Sequence, residues 1–227
     1  MKIAFFFCTR SPHAEDTLAY KSLIKIKDNT LQKFDIHYSA NNREGLSKSY
    51  NQKMLEKNIE KYDYIVFLHD DVYVDDYNIC NKLIKAHESY DIVGLAGGIN
   101  PQIKKPALWH LMCGGFGPNL RGAVAHYANE TQLFMTNFGP TPSRVTILDG
   151  LFISVSTDSV IKTGWKFNED YSFHHYDIAS SLDANEKKLK LGVFPIWVVH
   201  KSPGLLNIND NTFTQSQEKF IRKYANL

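Results

Sequence analysis

Cysteine is scarce. Cys8, Cys80 and Cys113 are the only three among 227 residues. They form no CxxC pair and leave an odd count, which argues against a disulfide framework or a cysteine zinc site. Net charge is also small, +2 at neutral pH. Nothing in the bulk charge demands nucleic acid or an anionic membrane as a partner. Long apolar runs are missing too: no stretch approaches the roughly 18 residues needed to cross a bilayer. The apolar run from Met1 to Phe7 is too short for a signal peptide and is followed by Arg10, His13, Glu15 and Asp16. The expectation is a cytoplasmic chain without stable membrane insertion. One further absence is local. Between Asp91 and Asp149 the only acid is Glu130, while nine of the 13 glycines and five of the eight prolines lie between Gly94 and Gly150. Such a segment suits a functional loop region or a set of short hairpins, and its lack of carboxylates suits an anionic ligand.

What is present is an ordinary globular balance, 43% apolar and 22% charged, at a length that suits one domain spanning residues 1–227. Twelve Tyr, 14 Phe and three Trp are generous; Trp109, Trp165 and Trp197 suit the core or the wall of a sugar pocket. The first hundred residues alternate in type. Apolar strands are predicted at 2–7, 34–39, 63–68 and 91–95, and helical spacing at 14–26, 47–59 and 76–88. That alternation implies right-handed crossovers and a mainly parallel sheet flanked by helices, with ligands bound beyond the strand ends. The loops at 8–13, 40–46 and 69–75 are therefore expected on one rim. Further on, 144–155 reads as a strand interrupted at Asp149-Gly150, 176–188 as a helix and 190–199 as a strand. Thr214 and Gln217 have capping-box spacing ahead of a last helix.

The sharpest local feature is His69-Asp70-Asp71, directly after an apolar strand. Adjacent carboxylates at a strand end are costly unless a cation neutralises them, and a hard divalent ion such as Mg²⁺ or Mn²⁺ is the natural partner. A solvated turn is the plainer alternative, and Asp75 and Asp76 suit a helix cap. The run from Asn41 to Asn51 opens a helix after a strand and carries Gly45, so its amides suit an anionic ligand. His174-His175 has no Cys or third His at zinc spacing nearby.

Taken in order, four segments resemble the glycosyltransferases of the large family 2 type, with the GT-A nucleotide-binding fold. They are Cys8-Thr9-Arg10-Ser11-Pro12; Asn42 through Gly45 to Asn51; Phe67-Leu68-His69-Asp70-Asp71, in the place of the family's D-x-D; and Lys166-Phe167-Asn168-Glu169 through His174-His175-Tyr176-Asp177 to Asp183. The resemblance implies a nucleotide-binding half at 1–95 and a donor-sugar and acceptor half at 96–227. It implies that Thr9, Arg10, Asn42 and Asn51 shape the nucleobase pocket. Asp71 would bind the metal, and Asp70 the ribose or a metal-bound water. Asp149 would contact the donor sugar or acceptor, and Asp177 would be the catalytic base. His69 stands where the family has its first Asp, and His200 is a candidate further metal ligand.

The same resemblance implies transfer of a hexose or pentose from a nucleotide-sugar, with UDP-sugar the expected donor and Mn²⁺ or Mg²⁺ the cofactor. Direct displacement would invert the anomeric centre. The acceptor is open: a glycan, a lipid-linked glycan, a protein or modified DNA. A nucleotidyltransferase is one alternative, but Thr9-Arg10-Ser11-Pro12 lacks the glycines of a phosphate loop. A non-catalytic nucleotide- or glycan-binding relative is the other.

Overall fold

A computed structural model describes residues 1–55, 59–127, 129, 132–201 and 210–225. The chain begins with β1 (Ile3–Cys8), in which every residue is buried. Helix α1 (Leu18–Asn29) follows, with the Thr17 hydroxyl accepting from the Tyr20 amide at 3.2 Å as its N-cap. It buries Ala19, Leu23 and Ile26, the spacing of one helix face. Next come β2 (Asp35–Ser39), α2 (Leu46–Leu55), β3 (Tyr64–His69), β4 (Val72–Val74), α3 (Ile79–His87), β5 (Ile92–Gly94) and β6 (Ala96–Gly98). The glycine-rich middle forms the short α4 (Trp109–Met112), then β7 (Leu120–Tyr127), β8 (Leu133–Gly139), β9 (Ser143–Val145) and β10 (Ile147–Leu148). The chain continues through β11 (Phe152–Ser156), α5 (Thr157–Thr163), α6 (Tyr176–Glu186), β12 (Leu191–Val193), β13 (Val198–His200) and α7 (Asn211–Tyr224).

Two sheets result. The larger has the order β2-β1-β3-β11-β5-β12-β9. Its first three strands are parallel, as the early βαβ alternation implies, but β11 enters antiparallel between β3 and β5. The sheet is therefore mixed, and a strand from the second half of the sequence completes the first. The smaller sheet runs β10-β6-β7-β13-β4, with β8 paired to β7. Phe5, Phe7, Phe67, Phe152 and Phe167 are fully buried in the core.

Three expectations change. The strand expected at 144–155 is three pieces, β9, β10 and β11, and β10 belongs to the second sheet. The strand expected at 190–199 breaks at Phe194–Trp197, around Pro195, and its two halves join different sheets. Thr214 and Gln217 lie inside α7, whose N-cap is Asp210, so they do not form a capping box. All three cysteines are free and buried. Among the described residues, no helix is long and apolar enough to cross a membrane.

Candidate active site

The three expected loops share one rim. The Asn42 amide donates to the Thr9 carbonyl at 2.8 Å, and the Asn41 amide to that of Ser11 at 2.9 Å. Together with the end of β3 they line a cleft of about 940 Å³ that holds Thr9, Arg10, Asn42, Arg43, His69, Asp70 and Asp71. Residues Ser172 to His174 and the start of α7 close its other side. Gly45 lets α2 approach that side: a Cβ there would lie 2.5 Å from Ser172 Cβ and 2.6 Å from its backbone. The Leu46 amide donates to Ser172 O at 2.7 Å, and the Ser47 hydroxyl to Tyr171 O at 2.7 Å.

At the floor of the cleft His69, Asp71 and His200 offer ligand atoms that all lie within 4.8 Å of one another. The smaller sheet makes this possible, because β13 pairs with β4 and sets His200 opposite Val72, beside Asp71. His200 Nε2 is 3.3 Å from Asp71 Oδ1. Burial disfavours the His200 cation, but Asp71 outweighs it and raises the imidazole above its ordinary value. Burial likewise works against the Asp71 carboxylate, yet the His200 contact leaves it below the usual range. His69 is held down by burial and by the neighbouring His200. Its Nε2 lies 3.1 Å from the Tyr176 hydroxyl, which donates to Gly150 O at 2.8 Å and so fixes the ring. Two imidazoles and a carboxylate form a donor set that fits a divalent first-row metal.

Beyond His69 a second, smaller cavity is lined by Trp109, Asp149, Gly150, His175, Tyr176 and Asp177. Both Asp149 oxygens are occupied, one by Trp109 Nε1 at 2.7 Å and the other by the Leu151 amide at 3.1 Å. Asp177 Oδ2 accepts from the Gly150 amide at 3.0 Å. Burial, with the charge of Asp149, pushes the Asp177 carboxyl up to about 7. Gly150 has no side chain because none fits: a Cβ would stand 2.5 Å from the Tyr176 hydroxyl and 3.0 Å from Asp177 Cβ.

A model of a glycosyltransferase-like family matches residues 4–224. The chain belongs to that family. Among curated proteins, no sequence match is significant. Solved structures with a similar fold include the catalytic domain of Drosophila β1,4-galactosyltransferase 7 in complex with xylobiose. Its TM-score is 0.53 at 12% identity, over 93% of this chain and 79% of that one. Residues 1–349 of S. aureus TarS, solved alone and with UDP, give a TM-score of 0.51 at 12% identity. That match covers 89% of this chain but only 61% of the TarS fragment. These likenesses place the chain in the GT-A fold.

In this glycosyltransferase the structure gathers Thr9, Arg10, Asn42, Asp70 and Asp71 in the cleft, with His200 joining Asp71 through the second sheet and Asp149 and Asp177 in the adjoining cavity. Asn51 stands apart. Its amide is spent on the Phe167 backbone, at 2.8 Å in both directions, and on Glu169 Oε1 at 2.8 Å. It straps α2 to the 167–169 segment and is not among the residues that line the cleft, where the motif expects it to shape the pocket. Sequence reasoning misses His69 as a member of the His-Asp-His cluster, because it stands in a place that the motif gives to Asp. It also misses Trp109 as the donor to Asp149. The first has a signal, an imidazole adjoining two carboxylates; the second has none, since the two residues meet only through tertiary packing.

Proposed function

We propose that this glycosyltransferase moves a sugar from a nucleotide-sugar, best a UDP-sugar, to an acceptor hydroxyl with inversion. The observation that carries the reading is one continuous site: a cleft with Asp70, Arg10 and Arg43, an adjoining His-Asp-His cluster, and a half-buried Asp177 in the next cavity. His69, Asp71 and His200 would hold the divalent cation, and two imidazoles favour Mn²⁺ over Mg²⁺. When bound, such an ion neutralises charge that develops on the leaving diphosphate. Arg10 and Arg43 line the same cleft and add positive charge for the phosphates. Thr9 and Asn42 shape the base end. Asp149, held by Trp109 and Leu151, is positioned to accept a sugar hydroxyl.

Asp177 serves as the base. A carboxyl raised to about 7 is matched to taking a proton from an alcohol near neutral pH. The Gly150 amide keeps one of its oxygens in place. Asp177 lines the cavity that adjoins the cluster through His69, so the base and the cation belong to one site. The test is a panel of nucleotide-sugars incubated with the protein and Mn²⁺. Release of UDP from at least one UDP-sugar is expected; no nucleoside diphosphate from any donor would sink the reading.

A further inference from the structure

A row of rings leaves the cation cluster along the smaller sheet. Strand β13 runs parallel to β7 and sets His126 beside His200, with ring centroids 5.7 Å apart. On β8, Phe134 pairs across from His126 and stacks on it at 5.2 Å with an interplanar angle of 23°. Phe134 is nevertheless 42% exposed. Its neighbour Met135 lines a different groove with Ala125 and Trp197, as alternation along a strand requires, so Phe134 belongs to the face that carries His126 and His200. Four residues further along β8, Phe138 meets Trp109 edge-on at 4.9 Å. Trp109 in turn donates to Asp149. One strand thus touches both ends of the site, the cation cluster through His126 and the Asp149–Asp177 cavity through Trp109. Over four residues it covers about 13 Å. Among the described residues β8 pairs with β7 alone.

An exposed apolar side chain needs no function by itself. Phe134 differs in being stacked on an imidazole that itself adjoins His200 of the cation cluster. We propose that β8 carries an acceptor subsite in which the open face of Phe134 stacks on a sugar ring, so that the acceptor is a saccharide. The chemistry matches on both sides. A pyranose offers an apolar C–H face and a rim of hydroxyls. The strand offers an aromatic face with Thr136 next along the same face, a hydroxyl suited to that rim. A purely lipid acceptor would leave the Thr136 hydroxyl unmatched. The subsite rests on the transfer reading above, since it gives the chain its second substrate.

Saturation-transfer NMR with xylobiose, cellobiose, chitobiose and maltotetraose tests it, using the full chain and the variants Phe134→Ala and Phe134→Trp. At least one saccharide is expected to bind, with the strongest transfer at its ring C–H protons. Phe134→Ala should weaken that binding roughly tenfold, and Phe134→Trp should keep it. Thermal melting of both variants checks that the strand still folds. If the alanine variant does not fold, loss of C–H transfer in the tryptophan variant would overturn the proposal. So would binding that Phe134→Ala leaves unchanged, or no binding by any of the four. Metal-dependent UDP binding by the unaltered chain, measured in parallel, reports separately on the donor side.

Discussion

Asp149 and Asp177 occupy one cavity but have different partners. Asp149 accepts from the Trp109 indole and the Leu151 amide, while Asp177 accepts from the Gly150 amide. Asp177→Asn keeps the shape and removes the base. It should retain metal-dependent UDP binding and lose transfer by roughly a hundredfold or more, read by steady-state kinetics. Near-normal transfer would return Asp177 to a helix-end role on α6. The raised carboxyl also has a linked cost. Its value is about 7 in the fold against 3.8 when unperturbed, so the folded state holds that proton across the interval while the unfolded state releases it. Its contribution to stability is complete below the lower value and is lost as pH rises through the upper one. Asp177→Asn should therefore melt above the parent at about pH 8, with the gap closing toward about pH 4. An equal melting point at the higher pH would mean that the carboxyl is not raised. His200→Ala removes one of three clustered ligand groups. Metal-dependent UDP binding should fall but not vanish, with the melting curve little changed. An unaltered metal titration would make His200 structural only.

At the scale of elements, the approach of α2 to the segment around Ser172 shapes the cleft. Gly45→Ala forces a Cβ into the Ser172 backbone, which has no flexible end to yield. A loss of about 1–3 kcal/mol in denaturant unfolding is expected, together with weaker UDP binding. Unchanged stability would show that the two segments separate freely. The same elements show what is legible in the sequence. Strands β1, β2 and β3 are dense in apolar residues, and the helices between them carry regular spacing, so the parallel half and its shared rim come from local pattern. The pairing of β11 between β3 and β5 does not, because an antiparallel insertion has the same alternation as any strand. The break at 194–197 is signalled only by Pro195, while the apolar run continues across it as the chain passes from one sheet to the other. At the site, Asp70 and Asp71 are legible from their adjacency, and Asp177 only from the family resemblance. Asn51 fits the motif but is used by the fold as a strap. The Trp109–Asp149 contact depends on packing between segments 40 residues apart in sequence.

Across the whole molecule, the two sheets divide the work. The larger presents the loops that line the cleft, and the smaller brings His200 under Asp71 and His126 beside it. Neither sheet alone assembles the cluster of His69, Asp71 and His200, since His69 ends β3 and His200 ends β13. On the proposed reading, nucleotide binding is tied to a cation held between the sheets. Calorimetric titration of UDP into the protein, once with Mn²⁺ and once with EDTA, tests that tie most directly. Affinity should be at least about tenfold higher with the metal, a difference of about 1.4 kcal/mol. Equal affinity in the two titrations would contradict a cation shared by His69, Asp71, His200 and the diphosphate.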